Sequence, residues 1–168
     1  MFDRLLFALT LLSTLGCGLI GGVFFAFSSF VMNALARLPA AQGIAAMQSI
    51  NVVVINPLFM TAFLGTAAAC VLLAFSSVLR WREPGAAYLL AGSLLYLVGV
   101  ILATMVFNVP RNDALAAVAP ASPEGASFWT NYLSSWTAWN HVRTAASLLA
   151  GALLTVALVL GRPMVFEK

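Results

Sequence analysis

Four long, strongly apolar stretches of this chain carry no Asp, Glu, Lys or Arg: residues 5–36, 38–79, 84–110 and 144–161. A helix that crosses a ~30 Å hydrocarbon layer needs about 20 residues, so each stretch is long enough or nearly so. Over the 168 residues, 62% are hydrophobic and 8% are charged, against roughly 25% charged in an ordinary soluble domain. So few charges cannot cover a water-facing surface of this size, and the mean hydropathy of +1.02 agrees. The chain reads as an integral membrane protein. Backbone N–H and C=O groups must be paired inside lipid, and no ten-residue alternating pattern suggests a barrel, so the spanning elements are helices.

The expected architecture is all-α: a single membrane domain over residues 1–168, a four-helix bundle with spans at about 5–30, 57–79, 86–107 and 142–161. Short interfacial helices are expected in the two longer connections. The stretch 38–79 is too long for one span and contains Asn51, Asn56 and Pro57. With four spans, Arg4, Arg80, Arg82, Arg162 and Lys168 share one side, while Arg37, Arg111 and Arg143 share the other. The excess of cations on the first side places both termini in the cytoplasm, and a bacterial cytoplasmic membrane is the expected location. The apolar run after Arg4 continues through Phe24, Phe25 and Phe27 without a convincing cleavage site, so it reads as an uncleaved first span.

Several classes are excluded or disfavoured. Cys17 and Cys70 are too few for a disulfide scaffold and read as small buried thiols. The eight cationic residues are scattered, so no nucleic-acid footprint exists. Gly16-Cys17-Gly18-Leu19-Ile20-Gly21 matches a dinucleotide fingerprint in letters only, because it lies within a spanning helix whose amides are already bonded. The small residues Gly18, Gly22 and Ala26, Gly65 and Ala69, Gly92 and Gly99, and Ala146 and Ala150 read as helix-packing stripes.

The connections on the outer side hold most of the unusual polar and aromatic residues. In the first, Ile44, Met47, Gln48, Asn51 and Ile55 fall at helical spacing. Asn56 caps the second span and Pro57 occupies its first turn. Asn51 is open between packing and a site role. In the second, Pro110 is expected to end the third span, and Asn112 or Asp113 to cap a short helix at 114–118. Ser122-Pro123-Glu124 starts another helix, which is expected to run on into the fourth span. Along it, Trp129, Tyr132, Trp136, Trp139, Asn140 and Arg143 share one face. Those aromatics fit an interfacial belt. They equally fit a site, because Asn140 and Arg143 share their face and a cation at the start of a span should meet a cavity or partner rather than lipid.

At these segments the chain resembles the anthrone-oxygenase-like family of small four-span membrane proteins. The matching residues are Asn108-Val109-Pro110-Arg111-Asn112 and Trp136-Thr137-Ala138-Trp139-Asn140-His141-Val142-Arg143-Thr144. Gly22-Val23-Phe24-Phe25-Ala26-Phe27-Ser28, Asn51 and Asn56-Pro57 add to it. The resemblance covers nearly the whole chain and implies a four-helix membrane fold. For the characterised branch it implies oxidation of an anthrone to an anthraquinone by molecular oxygen, without a dedicated cofactor. Carried over by residue, it points to Asn108, Asn112, Trp139, Asn140 and Arg143.

The side-chain inventory suits that chemistry. With His141 as the sole histidine and no ligand spacing visible, metal binding is poorly supported. A Ser135–His141–Asp113 hydrolase lacks a nucleophile elbow. An electron-rich anion can pass an electron to oxygen unaided, leaving the protein to supply a base, oxyanion donors and a dry aromatic pocket. Arg143 with the amides of Asn108, Asn112 and Asn140 are the expected oxyanion donors. His141 or Asp113 is the expected base, although His141 points about 100° away from Asn140 on an ideal helix. Trp136 and Trp139, with Asn51, would line the substrate. The expected partners are the lipid bilayer and a lipophilic small molecule, with no cofactor and no nucleic acid, and homo-oligomerisation stays open. The alternative is a non-catalytic membrane protein that binds a quinone-like lipid or assists an assembly.

Overall fold

The computed structural model of the chain describes residues 2–161, with side chains from Arg4 onward. Arg162 and Lys168, which enter the charge argument above, lie outside the described residues. The described chain is helical throughout, joined by short turns. Helix α1 (Phe2–Ala26) passes through a π-helical stretch, π1 (Phe27–Val31), into α2 (Met32–Ala36). Helix α3 (Ala40–Val53) is separate, and α4 (Pro57–Leu79) follows it. Then α5 (Ala86–Tyr96), π2 (Leu97–Leu102), π3 (Thr104–Asn108) and α6 (Val109–Ala116) form one continuous rod, and α7 (Pro123–Leu160) completes the fold. Four helices are long and apolar enough to cross a membrane: Arg4–Ala36, Pro57–Leu79, Ala86–Ala116 and Pro123–Leu160.

Local chemistry sets the helix starts. The Asn56 side chain accepts from the Phe59 N–H at 3.0 Å with Pro57 in the first turn, and Ser122 Oγ accepts from the Gly125 N–H at 3.1 Å ahead of α7. Both side chains satisfy amides that a helix N-terminus leaves open. Gly85 sits before α5 at φ +87°, a left-handed conformation that disfavours any other residue.

Helices α1, α4, α5 and α7 close into a ring in which α1 packs on α7 and α4, and α5 packs on the same two. Their shared core includes Cys17, Ile20, Phe24, Phe63, Cys70, Leu73, Tyr96, Val100, Ala150 and Leu154. At the end away from the termini, α2, α3, α6 and the first half of α7 enclose a second core of Met32, Leu35, Ile44, Met47, Leu115, Trp129, Tyr132 and Trp136. Gln48 ties α3 to this head by donating to the carbonyls of Leu115 and Val118 at 2.8 and 2.9 Å.

Three expectations need correction. The third apolar helix does not stop at Pro110 but runs to Ala116, so Asn112 and Asp113 cap no separate helix in the second connection. Pro110 lies in the first turn of α6, directly after π3, where its missing N–H and bulky ring disturb no regular turn. The small-residue stripes are only half used. Gly92, Gly99, Ala146 and Ala150 pack α5 and π2 against α7, and a Cβ on Gly99 would overlap that of Ala146. Gly18, Gly22 and Gly65 instead face open space, and the packed glycines of the first span are Gly16, against Thr66, and Gly21, against Leu148. Finally, Trp129, Tyr132 and Trp136 are buried rather than forming a lipid-facing belt, and Ile55 is exposed.

Candidate functional site

The buried polar residues Ser28, Asn108, Asn140, Arg143 and Thr144 lie between the two apolar cores. Asn140 on α7 is fully buried, and its Nδ2 donates to the Phe24 carbonyl at 2.7 Å and to Ser28 Oγ at 2.6 Å. Its Oδ1 accepts from Arg143 Nη2 at 2.6 Å. These three bonds fix which way the amide faces. Arg143, 5% exposed, also donates through Nη1 to Thr104 Oγ1 at 3.3 Å. Its guanidinium lies 4.2 Å from the Phe24 ring centroid and 5.1 Å from that of Trp136. Thr144 Oγ1 donates to the Asn140 carbonyl at 2.9 Å and lies 3.4 Å from Ser28 Oγ.

Widened π turns bring these partners to α7. A π turn bonds i to i−5 and so shifts the face that the following residues present. Side-chain donors reach carbonyls along these stretches: Asn140 reaches the Phe24 carbonyl just before π1, and Thr104 Oγ1 reaches the Val100 carbonyl at 2.7 Å within π2. Arg111 Nη1 likewise reaches the Phe107 carbonyl at 2.5 Å within π3. Ser28 of π1, and Thr104, Phe107 and Asn108 of π3, all contact residues of α7.

Asn108 is 1% exposed, and its Nδ2 donates to the Trp136 carbonyl at 3.3 Å. Its Oδ1 and Arg143 Nε are buried without a hydrogen-bond partner. Asn112 joins from α6, where its Oδ1 accepts from Tyr132 Oη at 2.8 Å and Trp136 Nε1 at 2.9 Å. Asn51 of α3 approaches the Tyr132 hydroxyl, while its buried Nδ2 has no partner. Trp139 is half-buried and stacks on Phe107, with ring centroids 3.3 Å apart and planes 4° from parallel. His141 and Asp113 are exposed and outside this network.

Asn108, Asn112, Trp136, Asn140 and Arg143 are thus brought together, with Asn51 and Trp139 at the margins and His141 apart. Sequence reasoning missed Ser28, Thr104 and the faces of Phe24 and Phe107. Serine and threonine are common along apolar helices, and a π turn shifts the face a residue presents, so periodicity gave no signal for them.

Arg143 is a buried cation without an acid. Among the described residues the ion pair seen is Arg80–Glu83, at the opposite end of the molecule. Burying a charge unpaired is costly. Here two aromatic faces and two neutral acceptors compensate in part, leaving a fixed positive charge suited to an anion. No three His, Cys, Asp or Glu side chains cluster as a metal site needs, among the described residues. A cavity of about 410 Å³ opens at the far end instead, lined in part by Leu6, Thr10, Ser77, Leu89 and Ala157.

A family model described as anthrone oxygenase matches residues 59–153, more than half of the chain. The chain belongs to the anthrone oxygenase family. Within the match lie all of Thr104, Asn108, Asn112, Trp136, Trp139, Asn140 and Arg143, so the buried cation and its amides fall in the anthrone oxygenase segment, while Phe24 and Ser28 precede it. No curated protein and no solved structure matches the chain.

Proposed function

We propose that this chain is a membrane-embedded, cofactor-independent oxygenase acting on a lipophilic anthrone-type aromatic. In the reaction a ring methylene becomes a carbonyl, and the second atom of molecular oxygen leaves as water. The observation that supports this reading is Arg143: buried, without an acidic partner, between two aromatic faces, on a segment characteristic of the family.

Arg143 would hold the substrate oxygen on which negative charge sits while the delocalised ring system passes an electron to oxygen. Donors already aimed at that charge stabilise it more in a dry site than in water. Asn140 keeps the guanidinium in place, and Asn108 and Asn112 hold the neighbouring backbone and ring of Trp136. Trp136 and Trp139, with Asn51 further out, would flank a flat ligand. His141 faces away and has no part in this reading. Both termini are read as cytoplasmic, which puts the network toward the exoplasmic boundary, where a lipid-soluble substrate can approach sideways.

The test is oxygen uptake by purified, metal-stripped protein given an anthrone. Uptake faster than the spontaneous oxidation of the substrate is expected, and Arg143→Ala should lower kcat/KM by about 100- to 1,000-fold. Uptake no faster than the spontaneous rate refutes the reading. A quinone-like lipid that co-purifies without turnover would point to a binding protein.

A further inference from the structure

We propose that the Arg143 site takes its substrate as a ready-made delocalised anion, the conjugate base of an acidic aromatic carbon or oxygen acid, and supplies no general base. This rests on the reading above that Arg143 holds the substrate oxygen.

The chain has one histidine and five acidic residues. His141, Asp113 and Glu124 are exposed, and Glu83 is held by Arg80 at the far end. The side chains of Asp3 and Glu167 lie outside the described residues. Around Arg143, α1 and π1 present Phe24 and Ser28, π3 presents Thr104 and Asn108, and α7 presents Trp136, Asn140 and Thr144. The titratable side chain that interacts with it electrostatically is Tyr132, whose hydroxyl is committed to Asn112 Oδ1. From α6, Arg111 turns its guanidinium to the Phe107 carbonyl. From α3, Asn51 offers an amide.

Amides and aliphatic alcohols accept no proton near neutral pH. A neutral substrate ionised inside this apolar surrounding would have to part with a proton that has nowhere to go, while the buried cation already attracts an anion. The proton is therefore lost to water at the membrane boundary before binding. The anion then moves to Arg143, and no covalent bond to the protein forms. A substrate that is not appreciably acidic is excluded by the same charge accounting.

The probe is a series of chloro- and nitro-substituted naphthols of staggered acidity, none of them oxidised by oxygen, with their O-methyl ethers. Binding to the full chain in detergent is read by tryptophan quenching across pH. Apparent affinity should fall about tenfold per pH unit below each ligand's own pKa, because only the ionised fraction binds. The midpoint should move with the ligand, and the ethers should bind weakly at every pH. Arg143→Lys should keep this dependence and Arg143→Gln should flatten it. Asn140→Asp, which sets a carboxylate against the guanidinium, should retain the helical spectrum and lose the preference for the anion.

A midpoint common to all ligands, tighter binding of the ethers, or loss of the pH dependence in Tyr132→Phe overturns the proposal. Ligand-following midpoints in a protein that shows no oxygen uptake above the spontaneous rate with an anthrone leave this inference standing and sink the oxygenase reading. Oxygen uptake with substituted anthrones whose pH midpoint ignores their acidity does the reverse.

Discussion

Asn140 shows how one amide can organise a site. Its two donors cross to α1 and π1 and its acceptor is taken by Arg143, so no rotation of the amide keeps all three bonds. Asn140→Leu would leave the Phe24 carbonyl, Ser28 and one arm of Arg143 without it. The expected loss is about 3 kcal/mol, read as a lower midpoint of thermal unfolding in detergent. Ser28→Ala removes a smaller partner and should cost about 1 kcal/mol in the same assay. The pair Asn140 and Arg143 was legible in the sequence because a three-residue spacing puts both on one helical face. Ser28 and Thr104 were not, since their contacts arise across helices.

At the scale of single elements, the glycines separate packing from accident. Gly99 lies against Ala146, and Gly92 lies where a Cβ would stand 3.1 Å from the Ala150 carbonyl, so α5 and π2 can approach α7 closely. Gly99→Val should overpack that seam at a cost of about 1–3 kcal/mol, whereas Gly22→Val, with open space at its Cα, should leave the unfolding midpoint nearly unchanged. The caps were legible: Asn56 and Ser122 sit where side-chain oxygens followed by proline announce a helix start. The π stretches were not. Apolar residues fill these helices on every side, so an inserted residue leaves no break in the pattern, and Pro110 follows a widened turn that accommodates its ring instead of ending the helix.

Across the whole molecule, helix length divides two layers. The 23 residues of Pro57–Leu79 extend about 35 Å, close to a bilayer core, while the 38 of Pro123–Leu160 extend about 57 Å. The excess, with α3, builds the head, and Arg143 lies at the junction of head and spans. In a Cys17→Ser, Cys70→Ser background, Ser127→Cys in the head should react with a membrane-impermeant maleimide from outside intact cells. Glu83→Cys should react only after lysis. The opposite pattern would reverse the proposed orientation. What the sequence alone determined is the class: helices in lipid, their number, most of their starts, and an aromatic and polar face on α7. Those features follow from charge-free length and from spacing within one helix. The tertiary structure decided which faces meet, that Trp129 and Trp136 turn inward, and which hydroxyls and carbonyls surround Arg143. The physical reason is that lipid is as apolar as the helices it surrounds. Hydrophobicity therefore marks what enters the membrane and cannot mark which side of a helix faces its neighbours.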